Sequence, residues 1–170
     1  MQKSIMRAGV HGLRLNNNVR PLRAMQEILK RLLTELHTAY FKPNGFTKER
    51  QRFRREIDTV MQQVEFQSSQ WNSSDSPLRF YVNISVGFSD VPMRDGKPAL
   101  TGWCRLPGLV ASAPGEFDIT PASYESIRSQ LLELLPQALL ALPKHYEGVR
   151  SRAKAGWHAL IPLDTQRPNM

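Results

Sequence analysis

The sequence predicts an α+β protein: an antiparallel, three- to four-stranded meander with an N-terminal and a C-terminal helix packed on one face. Two observations carry this. Between Val64 and Phe88 the apolar residues recur with period two, as Val64 and Phe66, then Phe80, Val82, Ile84, Val86 and Phe88. Such alternation describes strands buried on one face and polar on the other. On either side the spacing changes to three and four, the repeat of an amphipathic helix.

The first helix is expected from about Pro21 to Tyr40, with Leu22, Met25, Leu29, Leu32, Leu33, Leu36 and Tyr40 on one stripe. Pro21 suits a first turn, and Lys42, Pro43, Asn44 and Gly45 end the helix. A strand follows from Lys48 to Ile57, placing Phe53, Arg55 and Ile57 on one face and Arg50, Arg52, Arg54 and Glu56 on the other. Asp58 and Thr59 then make a tight connection. The second strand, Val60 to Gln70, sends Val64 and Phe66 inward and Gln63, Glu65 and Gln67 outward. After a polar loop, Leu78 to Ser89 is the clearest strand, with Arg79, Tyr81, Asn83 and Ser85 outward. Asp90 to Pro98 reads as a long loop and Thr101 to Leu106 as a short edge strand closed by Pro107. Asp118 or Thr120 caps a second helix that has Pro121 at its first position. Tyr124, Ile127, Leu131, Leu134 and Leu135 form its apolar stripe, and Pro136 ends or kinks it. A short basic helix or loop from Glu147 and an extended segment from Trp157 to Leu163 complete the reading.

The 170 residues, 41% of them hydrophobic and 22% charged, suit one soluble domain. We expect a flexible basic extension over residues 1–20, a single α+β domain over 21–163 and a tail over 164–170. No apolar run is long enough to span a bilayer, and the N-terminus lacks the apolar core of a secretory signal. The one cysteine, Cys104, permits no intrachain disulfide and points to a reducing, cytoplasmic home, where a small buried thiol is the ordinary role. The net charge of +8 is concentrated: residues 1 to 55 hold thirteen Lys and Arg against three Asp and Glu. That asymmetry suits a contact with nucleic acid, an acidic protein or an anionic membrane, or simply a solvated basic end.

No constellation of catalytic, metal-binding or cofactor-binding residues stands out. His11, His37, His145 and His158 are scattered, and the chain has no GxGxxG, Walker A or GxSxG motif. The reading therefore leans away from an enzyme, and names no catalytic residue, metal or cofactor. What the alternation does predict is a polar face that gathers Arg52, Arg54, Gln63, Glu65, Gln67, Tyr81, Asn83 and Ser85. Guanidinium and amide groups around a tyrosine suit binding of a protein partner. Nucleic-acid binding through Lys48, Arg50, Arg52, Arg54 and Arg55, with Phe53 or Tyr81 stacking a base, is the second reading, and an enzyme of unknown reaction the third. A solvated face with cross-strand polar pairs accounts for the same residues without a partner.

The order of these elements resembles a known family. An amphipathic helix, then Asn44-Gly45-Phe46, Phe53 among basic residues, Val64-Glu65-Phe66-Gln67 and Tyr81-Val82-Asn83-Ile84-Ser85-Val86 is similar to the bacterial family called domain of unknown function 4304. The likeness takes in roughly residues 21 to 145, with Cys104-Arg105-Leu106 and Glu116-Phe117. It implies an antiparallel sheet backed by helices and carries over no catalytic residue. Size and layout are also similar to small immunity proteins that neutralise toxins, a likeness of form only.

Overall fold

A computed structural model describes residues 19–73, 76–91, 100–155 and 161–163. The expected extension up to Asn18, the loop residues 92–99, the first part of the Trp157 to Leu163 segment and the tail over 164–170 lie outside them.

Helix α1 (Val19–Leu36) buries Leu29, Leu32, Leu33 and Leu36, the stripe its spacing predicts. Tyr40 does not complete that stripe. A π-helical turn, His37–Phe41, inserts one extra residue, closed by the Lys42 N–H donating to the His37 carbonyl at 2.8 Å. The extra residue moves Phe41 into the fully buried position below Leu36 and leaves Tyr40 half-buried at the edge. Gly45, with φ of 79°, reverses the chain into the sheet.

The sheet is larger than three or four strands. It runs in the order β1-β2-β3-β4-β5-β7, with β1 (Thr47–Glu49), β2 (Arg52–Ile57), β3 (Val60–Ser68), β4 (Leu78–Phe88), β5 (Leu100–Arg105) and β7 (Ile161–Pro162). Strand β6 (Phe117–Ile119) pairs with β4 off this path. The antiparallel meander holds from β1 to β5, and β7 joins β5 in parallel. Three features account for the difference in number. Arg50, at φ 54°, folds the expected Lys48 to Ile57 strand into a hairpin of β1 and β2. β6 is only three residues long and shares the edge of β4 end to end with β5. β5 is not an edge strand, because β7 covers it.

The inner face follows from the register. Phe53, Val64, Ile84 and Cys104 lie in one row across β2 to β5, and all are buried. All seven phenylalanines are buried on or against this face, with Phe41 stacked flat on Phe53 at 3.9 Å between ring centroids. Helix α2 (Tyr124–Ala141) buries Ile127, Leu131, Leu134, Leu135, Ala138 and Leu139. It runs through Pro136 instead of ending there; that residue sits on the exposed side. Thr120 caps it one turn ahead, its Oγ1 accepting from the Ser123 N–H at 3.1 Å while the Thr120 N–H donates to Ser123 Oγ at 2.9 Å. Helix α3 (Tyr146–Lys154) closes the far end: Tyr146 hydrogen-bonds Gln62, and Arg150 lies over the Phe88 ring at 4.7 Å. All three helices thus occupy the inner side of the sheet. Among the described residues none crosses the outer side.

Candidate functional site

The outer face is built by strand register. A two-residue turn at Asp58 and Thr59 pairs Ile57 with Val60, so parity carries from β2 to β3, and the β3–β4 pairing preserves it over nine residue pairs. One row therefore reads Arg54, Gln63, Ser85, Trp103 and the next Arg52, Glu65, Asn83, Arg105, with Gln67 opposite Tyr81. Every residue of the sequence-predicted face falls on this one surface. Four strands about 4.8 Å apart make each row roughly 14 Å long.

Its members divide by depth. Gln63, Asn83 and Ser85 are only 4%, 3% and 5% exposed, because long neighbours close over the short central side chains. Gln63 accepts from Arg54 Nε at 2.5 Å, and the Asn83 amide donates to Gln67 at 2.8 Å. The Arg52 guanidinium donates to Glu65 at 2.7 Å, and that hydrogen bond raises its pKa. The buried Gln63, Asn83 and Ser85 underlie the surface, and Arg52, Arg54, Gln67 and the half-buried Tyr81 reach solvent.

Four residues of the same surface, Arg105, Trp103, Arg79 and Trp71, are not among those named for the face from sequence, although the alternation already points Arg79 outward. Arg105, from β5, lies over the Tyr81 ring at 4.2 Å, a cation–π contact that fixes both groups. Trp103 sits beside Ser85 in the adjacent row. At the lower end Arg79 binds Asp118 at 2.9 Å and Glu116 at 3.2 Å, and both carboxylates raise its pKa after the Asp118 hydrogen bond. Trp71, 82% exposed, borders a depression with Arg79 and Asp118. The alternation of β5 carried the signal for Arg105 and Trp103, since residues 103 and 105 share parity. A pocket of about 510 Å³ is lined by Thr47, Arg54, Glu56, Met61 and Leu100 and also by Gly45 and the inward-turned Arg55 and Gln62, so it does not belong to the outer face alone.

The charges are unevenly matched. Arg52 and Arg79 have carboxylate partners, whereas Arg54 meets a neutral amide and Arg105 a ring. Among the described residues these two guanidiniums, on opposite edges of the face, have no carboxylate within ion-pair distance.

The basic strand does not form one surface. Phe53 is fully buried and stacks on Phe41, so it is closed to a base. Arg55 turns inward to Gln62 and the Asn44 carbonyl at 2.8 and 2.9 Å, and Lys48 turns toward α1. His37 packs against Phe53 with ring centroids 5.9 Å apart; His11 and His158 lie outside the described residues. Among the described residues no three His, Cys, Asp or Glu are placed to share a metal ion, and no helix is long and apolar enough to cross a membrane.

Residues 37–97 match the family model described as domain of unknown function (DUF4304). This bears out the resemblance read from the sequence over the segment running from the π-helical turn through β4, which carries all seven residues from Arg52 to Asn83 named as the polar face, and not β5. No curated protein and no solved structure matches the chain.

Proposed function

We propose that the protein is a non-catalytic, cytoplasmic binding module that takes a protein partner on the outer sheet face. The observation that supports this most is the in-register surface of β2 to β5, where Tyr81 is clamped under Arg105 among buried, hydrogen-bonded amides. A preorganised surface loses little side-chain freedom on binding, and Tyr, Trp and Arg are the residue types that dominate interface energetics. Trp71 and Tyr81 would act as the apolar anchors, with Trp103 alongside. Arg54 and Arg105, which have no carboxylate partner among the described residues, select a partner presenting carboxylates opposite them.

The experiment is affinity capture with the full chain, with and without nuclease, at low and moderate salt. Arg105→Glu is run in parallel, and Arg152→Glu on α3 serves as the surface control. The reading expects one protein that survives nuclease and moderate salt, is lost with Arg105→Glu and is kept with Arg152→Glu. Nuclease-sensitive recovery would replace it with nucleic-acid binding, and recovery indifferent to Arg105→Glu would remove the sheet face from the account.

A further inference from the structure

A second concave site lies on the other side of the sheet edge, where α1 passes the β1–β2 hairpin. It is a cleft of about 510 Å³ floored by Leu29 and Leu33, each only 2% exposed, with Gln26 on its side and Lys30, Lys48 and Arg50 on its rim. That volume is within the range of small-molecule sites, which combine an apolar lining with a few polar groups of fixed position. The charges are what make it distinctive. Lys30 pairs with Glu27 at 3.6 Å, and Glu27 is the one carboxylate in the lining. Among the described residues Lys48 has no ion pair and donates to a hydroxyl, Thr34 Oγ1, at 3.0 Å. Its pKa is lowered, first by burial and then by the neighbouring Lys30 charge. Arg50 has no ion pair among the described residues and projects from a turn at φ 54° that is tied down by the Phe66 N–H donating to the Gln51 carbonyl at 2.9 Å.

We infer that this cleft binds a small phosphorylated molecule, its phosphate between Lys48 and Arg50 and its body against the aliphatic stems of Gln26 and Lys30 above the Leu29 and Leu33 floor. A phosphate monoester dianion matches these two cations in number. Arg50 supplies a planar fork for two phosphate oxygens and Lys48 a point charge for a third, and Gln51 and Ser68 lie at the same rim for further hydrogen bonds. The site is separate from the outer face, because Lys48 pairs with Phe53 in register and so points to the inner side.

The test is calorimetric titration of the full chain with phenyl phosphate, inorganic phosphate and benzoate, at low and moderate salt. The inference expects saturable binding of phenyl phosphate, weaker binding of inorganic phosphate for want of an apolar body, weaker binding of benzoate for want of the second charge, and affinity that falls with salt. Arg50→Asn, a residue that tolerates the left-handed turn, and Lys48→Met should each weaken phenyl phosphate about tenfold or more, the loss of one charge-assisted hydrogen bond. Lys144→Gln, on the opposite end of the molecule beside α3, should leave it unchanged. No saturable binding, equal binding of benzoate, or binding untouched in Arg50→Asn would each overturn the inference.

Discussion

Gly102 is the position where the inner packing of the sheet is tightest, and Gly102→Ala measures how tight. It lies on β5 opposite Val86, under α3 and next to β7. An added Cβ would come to 2.7 Å from Val86 Cγ2, 2.8 Å from Leu163 Cδ2 and 3.1 Å from Val149 Cγ1. Carbon atoms prefer about 3.5 to 4.0 Å, so two methyl groups must retreat by nearly an ångström on different elements at once. Overpacking of this kind costs about 1–3 kcal/mol. For a protein of this size that is roughly 2–4 °C in Tm per kcal/mol. The assay is thermal and urea denaturation of the wild type, Gly102→Ala, Val86→Ala and the double variant. Because Val86 supplies the closest contact, the double variant should be more stable than the sum of the two single losses requires, a coupling of opposite sign to independent sites. A Gly102→Ala protein as stable as the wild type would refute the close packing around β5, and strict additivity would refute the contact between Gly102 and Val86.

Three further perturbations test other parts of the structure. Phe41→Ala should cost about 3–5 kcal/mol in urea denaturation, since Phe41 is fully buried against Phe53 and Phe46, while Tyr40→Ala should cost clearly less; equal losses would contradict the π-helical turn. Glu35 accepts from Arg31 at 2.8 Å and meets Arg128 of α2 at 2.9 Å, and its pKa is lowered first by the Arg31 hydrogen bond. A lowered carboxylate contributes stability above its unfolded pKa of about 4.3 and loses it as pH falls through the folded value. Glu35→Gln should therefore be less stable than the wild type at neutral pH, by about 1 kcal/mol or less, with the gap closing in acid; a gap that widens in acid has the wrong sign. Asp58 has φ of 54°, so Asp58→Gly should be neutral or slightly stabilising and Asp58→Val destabilising by about 1–2 kcal/mol, read from the urea midpoint.

The extent to which this could be read from residues alone follows the strength of each periodic signal. β4 alternates over eleven residues, and its inward and outward sets stand as expected. Because the β2–β3 turn has two residues and the β3–β4 register has no bulge, the parity assigned to each strand places Arg52, Arg54, Gln63, Glu65, Gln67, Tyr81 and Asn83 on one surface. Depth was not legible: Gln63 and Asn83 look as available as Arg52 in a one-dimensional pattern, and only neighbours on adjacent strands cover them. Short or conformationally special elements were also hidden. Arg50 breaks a strand without any glycine or proline to mark it, and Phe117–Ile119 shows only three residues of alternation. Tyr40 fits an ideal helical stripe, and a single extra residue hands its place to Phe41. The cleft beside Lys48 joins residues from α1, the β1–β2 turn and the end of β3, a juxtaposition that no local spacing announces.

The most direct measurement on the outer face is the dissociation constant of the captured partner for the wild type, Arg54→Glu, Arg105→Glu and Tyr81→Ala. Gln130→Glu, on the exposed side of α2, is the control. If the outer face is the binding surface, each of the first three weakens binding about tenfold or more and Gln130→Glu leaves it unchanged. Binding that withstands all three face substitutions and falls with Gln130→Glu would move the interface to the helical side and contradict the account.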